Sequence, residues 1–138
     1  MRRLHLAAGG ATLAVFLLTG AYMRFREPPV GQLAADRHLM FLSRHIYILA
    51  AAAPNLLLGA HVSRASKPGA LWLQRAGSAL LVLSAALLVA AFIHEPVAGR
   101  ARTLASTLGL YALFGGTVLH VVASLWDGAH NRRREAAG

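Results

Sequence analysis

Residues 76–93 read AGSALLVLSAALLVAAFI, eighteen positions without a formal charge. A surface helix of a soluble protein carries a polar face at every turn, and this stretch has none. With a rise of 1.5 Å per residue, ~20 apolar residues cross the ~30 Å hydrocarbon core of a bilayer. Three further runs have the same character. Leu4–Met23 is uncharged, His38–Val62 carries only Arg44, and Thr103–Trp126 carries only His120 as a titratable side chain apart from Tyr111. Strands of a membrane barrel would show as alternating segments of ~10 residues, which these are not. The sequence therefore predicts an all-α, integral membrane four-helix up-down bundle. Its helices cover about 4–23, 38–62, 72–94 and 103–126 at the length such spans require.

The whole chain has 138 residues, so the connections are short and no soluble domain fits between the helices. Arg24–Arg37 contains Glu27-Pro28-Pro29, Ser63–Arg75 contains Lys67-Pro68-Gly69, and His94–Arg102 contains Pro96 and Gly99. Each of these breaks a helix or turns the chain. Residues 131–138 read as a polar cytoplasmic tail. Met1-Arg2-Arg3 before an apolar run also fits a signal peptide, with Thr19-Gly20-Ala21 as the cleavage site. The full membrane-spanning length of that run favours a retained helix.

Fourteen Lys+Arg against five Asp+Glu give a formal charge of +9. Such a balance first suggests nucleic acid, yet no nucleic-acid motif is present, and the basic residues lie in connections, tail and helix ends. There they act as topology signals. With the N-terminus inside, the inner side holds Arg2, Arg3, Arg64, Lys67, Arg75, Arg132, Arg133 and Arg134. The outer side holds Arg24, Arg26, Arg37, Arg100 and Arg102. The positive-inside rule selects N-in/C-in. Trp72 and Trp126 then mark the inner boundary and Tyr22 the outer one. Arg132-Arg133-Arg134 reads as a contact for anionic lipid. The Ala, Leu and Arg bias suits a bacterium with a GC-rich genome, which points to a bacterial inner membrane.

Ionisable groups inside a membrane are costly and mark functional candidates. His45 falls ~7 Å outside the bilayer centre and His120 ~8 Å inside it, by the helical rise. They cannot share one metal. His94 is the histidine nearest His45 on another helix, and His5 the nearest to His120. In helix four, Ser106, Gly109, Ala112, Gly116, His120 and Ala123 share one face at helical spacing. In helix one, His5, Gly9, Thr12, Phe16 and Thr19 do the same, so His5 and His120 are expected to face each other. Helix three has a small-residue stripe through Gly77, Ser84 and Ala91, with His94 ~100° away from it. In helix two, Arg44 and His45 form the strongest local signal. Arg44 can snorkel outward, or hold a carboxylate such as a haem propionate or an acidic side chain. Pro54 frees the carbonyl of Ala50, which Asn55 or a neighbouring helix can engage.

Four helices with histidines toward both ends resemble the small membrane b-type cytochromes. That resemblance implies haem b, transmembrane electron transfer, and a cofactor site drawn from His45, His120, Arg44, His5 and His94, with His45 and His120 as metal ligands. Ser43-Arg44-His45-Ile46-Tyr47 is similar to the corresponding segment of small, uncharacterised four-helix proteins of the bacterial inner membrane, which implies location and fold. The same histidines also read as interfacial residues or helix-pairing groups. A second class of function is therefore a non-enzymatic accessory or assembly subunit, docked in the bilayer against a larger complex or its own copies. A third is copper handling at the outer surface through Met23, His38, Met40 and His94. The absence of cysteine excludes disulfides and thioether-linked haem, and no nucleophile elbow or HExxH motif supports hydrolysis.

Overall fold

The computed structural model describes residues 1–99 and 103–135. It is all-helical: α1 (Arg2–Phe25), α2 (Ala35–His61), α3 (Pro68–Ala98) and α4 (Leu104–Glu135), with one turn of 3-10 helix at Val30–Gln32. All four α-helices are long and apolar enough to cross a membrane. Consecutive helices run up and down as two hairpins, α1–α2 and α3–α4, joined chiefly along α2 and α3. One end of the bundle carries the α1–α2 and α3–α4 connections together with Arg44. The other carries the start of α1, the α2–α3 connection and His120.

Small residues set the spacing within each hairpin. A Cβ on Gly77 would lie 2.8 Å from the Gly116 carbonyl oxygen, and one on Gly116 would lie 2.8 Å from that of Gly77. The α3 and α4 backbones therefore touch, as small-residue crossings in membranes do. Gly59 brings α2 against the backbone of α1 at Leu6 in the same way. The faces expected from helical spacing are the buried ones. Ser106, Gly109, Ala112, Gly116, His120 and Ala123 of α4 are all buried, as are His5, Gly9 and Thr12 of α1. Large apolar side chains such as Leu17, Leu18, Tyr111 and Phe114 point outward, the arrangement a lipid solvent selects.

Several boundaries differ from the sequence reading, most of all at the two ends of α3 and the end of α4. Residues 94–98 continue α3 instead of starting a connection, and the helix ends only where Gly99 adopts φ 65°. Pro96 is accommodated in the last turn and buried there. Tertiary contacts made by its neighbour Glu95 hold that turn in place. Pro68 is the first residue of α3, a position where its missing N–H costs nothing. At the other end of the chain, α4 runs on to Glu135, through much of the stretch read as a tail. Arg100 and Arg102 lie outside the described residues, as do the side chains of Arg132, Arg133 and Arg134.

Candidate functional site

Polar groups collect at two levels inside the bundle. At the first, Arg44 of α2 is 7% exposed and Glu95 of α3 is 0% exposed. The Arg44 Nε–H donates to Glu95 Oε2. Glu95 Oε1 accepts from the Thr103 hydroxyl and, at 3.2 Å, from the Ser106 backbone N–H. Thr103 in turn accepts the Ala105 N–H at 3.2 Å. The start of α4 is thus capped twice, by its own threonine and by a carboxylate from α3, where the helix dipole favours negative charge. Arg44 also reaches Ser43 Oγ at 3.0 Å and lies over the Tyr47 ring. Of the roles weighed for Arg44, the one seen is pairing with an acidic side chain.

Glu95 is the functional residue that sequence reasoning missed. It was assigned to a connection because Pro96 follows it. One signal pointed to it: it is the sole acid between Asp36 and Asp127, and it sits at the end of an apolar run level with the lone arginine of α2.

At the second level, four helices meet through neutral groups. His5 Nδ1 is 2.8 Å from Asn55 Oδ1, His5 Nε2 is 2.8 Å from Ser78 Oγ, and Ser78 Oγ is 3.1 Å from His120 Nε2. One end of the chain has a fixed direction. The Asn55 amide N–H groups donate to the carbonyls of Ala51 and Leu81, at 2.9 and 3.3 Å. Its Oδ1 is therefore an acceptor, and His5 must carry its proton on Nδ1. Ser78 Oγ lies between the Nε2 atoms of His5 and His120 and donates to the Gln74 carbonyl at 2.8 Å. No acidic side chain among the described residues stands beside the cluster. His120 Nδ1 is buried with no hydrogen-bond partner among the described residues. Asn55 thus engages Ala51 and α3, not the carbonyl that Pro54 frees.

His5 and His120 are brought together as expected, with ring centroids 5.5 Å apart and planes at 73°. Both direct Nε2 at Ser78. A porphyrin between them would have to displace Ser78 and part the α3 and α4 backbones at Gly77 and Gly116. His45 lies apart from this pair. Its Nδ1 is 3.0 Å from Thr19 Oγ1, and because that hydroxyl donates to the Phe16 carbonyl, His45 carries its proton on Nδ1. Its ring stacks on Phe16 with centroids 4.0 Å apart, and Gly20 lies beside its Cε1 and Nε2. His94, expected to join His45, is exposed on the far side of α3. Of the copper candidates, Met23 and His38 line one groove of about 260 Å³ with Gly20 and Leu42. Met40 is buried away from it and His94 is on another face. Among the described residues, no three His, Cys, Asp or Glu side chains converge as a metal site.

No protein-family model, curated protein or solved structure matches the chain.

Proposed function

We propose that this chain is a multi-pass protein of a bacterial inner membrane, with both termini on the cytoplasmic side. There it serves as a non-enzymatic accessory or assembly subunit of a larger membrane complex. One observation carries this reading: among the described residues, the polar side chains inside the bundle bond chiefly to one another. Arg44 is held by Glu95, His5 by Asn55 and Ser78, His120 by Ser78, and His45 by Thr19. Such pairings fix helices against each other. The orientation rests on the arginines and lysine at the His120 end, Arg2, Arg3, Arg64, Lys67 and Arg75, against Arg24, Arg26 and Arg37 at the Arg44 end.

The test is native electrophoresis of mildly solubilised membranes at native expression level. The chain is expected to migrate in an assembly much larger than itself and to shift with that assembly's other subunits. Migration as a monomer or as its own oligomer overturns the subunit reading.

Haem b is the second reading, and His45 favours it. With Nδ1–H anchored on Thr19, its Nε2 is unprotonated beside Gly20, which is how a ligating imidazole is held from behind. A Soret band lost in His45→Ala would establish it. A haem spectrum unchanged by both His45→Ala and His120→Ala rejects these ligands. The groove shared by Met23 and His38 keeps copper as a third reading, decided by metal analysis of the purified protein.

A further inference from the structure

At the His120 end, a groove of about 490 Å³ opens between the start of α1, the α2–α3 connection and the first turns of α3. Arg2, Arg3, Arg64 and Arg75 line it, with Val62 and Leu71 among its apolar walls. Its volume lies within the range of ordinary ligand sites, ~300–1,000 Å³. Four arginines from three segments therefore line one space.

The frame of this groove is fixed. Arg2 donates to the carbonyls of Gly59 and Ala60, at 3.3 and 3.1 Å, and so locks the start of α1 to the end of α2. Arg64 sits between two residues that Gln74 holds. Gln74 accepts the Ala65 N–H at 3.2 Å and donates to the Ser63 carbonyl at 2.7 Å. Arg75 follows Gln74 on α3. The backbone positions of these arginines are thus set before any ligand arrives, which lowers the ordering cost of binding.

Among the described residues, no carboxylate pairs with Arg3, Arg64 or Arg75. Asp127, the one acidic side chain described at this end, accepts the N–H groups of Ser66 and Lys67 and the Ser66 hydroxyl. Guanidinium groups favour phosphate because their planar fork meets two of its oxygens at once. Leu4, Leu6 and Trp72, close in sequence to Arg3 and Leu71 of the groove, are exposed apolar side chains, the last 70% exposed. An occupant with a phosphate at one end and hydrocarbon at the other satisfies both parts.

We propose that this groove binds the phosphate of an anionic diacyl phospholipid, its headgroup held by Arg3, Arg64 and Arg75 and its chains laid along the lipid-facing surface beside Trp72. The proposal rests on the membrane-spanning reading above. The site is made of other residues than Arg132-Arg133-Arg134, and it binds one lipid at a defined place where a basic tail would attract a lipid surface generally.

The experiment is native mass spectrometry of the full chain from detergent, titrated with phosphatidylglycerol, phosphatidylcholine or inorganic phosphate. Wild type is expected to retain phosphatidylglycerol over phosphatidylcholine. The triple variant Arg3→Ala/Arg64→Ala/Arg75→Ala is expected to lose about a hundredfold in phosphatidylglycerol affinity, at the strength usual for three basic residues near an anionic surface. The triple lysine variant keeps the charge and the topology signal, and is expected to lose only a few-fold, about what the fork geometry contributes. Equal affinity for the two lipids in wild type, or an alanine variant that binds like wild type, overturns the proposal. Inorganic phosphate that binds as tightly as the lipid overturns the lipid assignment. Resistance of the chain to alkaline carbonate extraction is measured in parallel. A chain that washes off fails the membrane reading itself, whereas an integral chain without lipid selectivity fails only this site.

Discussion

At the Arg44 end a full ion pair joins α2 to α3, while at the His120 end neutral imidazole, hydroxyl and amide groups join all four helices. The two clusters perform the same mechanical task, yet their energetics differ. A buried ion pair adds little net stability over well-packed apolar residues, but removal of one partner strands a charge. A neutral network has no such penalty, and each of its links in a membrane is worth ~0.6 kcal/mol on average and up to ~1.7. The charged cluster therefore punishes errors severely, and the neutral cluster adds modest increments at four places.

The largest expected effect tests that contrast. Glu95→Leu leaves Arg44 buried without its carboxylate and is expected to destabilise the fold by about 3–5 kcal/mol. Arg44→Met in the same chain should restore most of the loss. Unfolding titrations in mixed micelles measure both, and a single-variant loss under ~1 kcal/mol would mean that the pair reaches water. Next, Gly116→Ala is expected to cost about 1–3 kcal/mol, as overpacking does. Its Cβ meets the Gly77 carbonyl, so α3 and α4 must separate. The His120–Ser78 bond lengthens with them, which couples packing to the neutral cluster.

Ser78→Ala should cost about 1–2 kcal/mol, since it leaves a nitrogen of each histidine without its partner. Nitrogen NMR of the imidazoles sharpens this case. The wild type is expected to show His5 protonated on Nδ1, where it donates to Asn55, and an unprotonated Nδ1 would overturn that contact. At the bottom of the scale, His94→Ala is expected to change stability by less than about 0.5 kcal/mol, as exposed positions do. A larger loss would show that His94 has a partner in the assembled protein.

The difference between the clusters also explains what could be read from sequence. His5 and His120 were placed on matching faces because Gly9, Thr12, Gly116 and Ala123 follow the helical period, and period survives folding. The four spans were legible because hydrocarbon admits almost no charge. Ser78 was not singled out, since a serine in a stripe of small residues carries no distinguishing pattern. Its role exists only when two histidines from other helices meet above it. Glu95 was lost to a local rule. Proline normally ends a helix, but here the bonds from Glu95 to Arg44, Thr103 and Ser106 outweigh the propensity of Pro96. His94 is the nearest partner to His45 by depth, but its place ~100° off the α3 small-residue stripe turns it from the bundle interior, and it is exposed.

The partners of the ion pair are separated by 51 positions of chain. During synthesis, Arg44 is made with α2 before Glu95 exists. When Glu95 follows with α3, it pairs with α2 and offers its other oxygen to the start of α4. One carboxylate thus ties the two hairpins together and starts the last helix, so the sequential order of the chain is matched by the contact that holds the finished bundle.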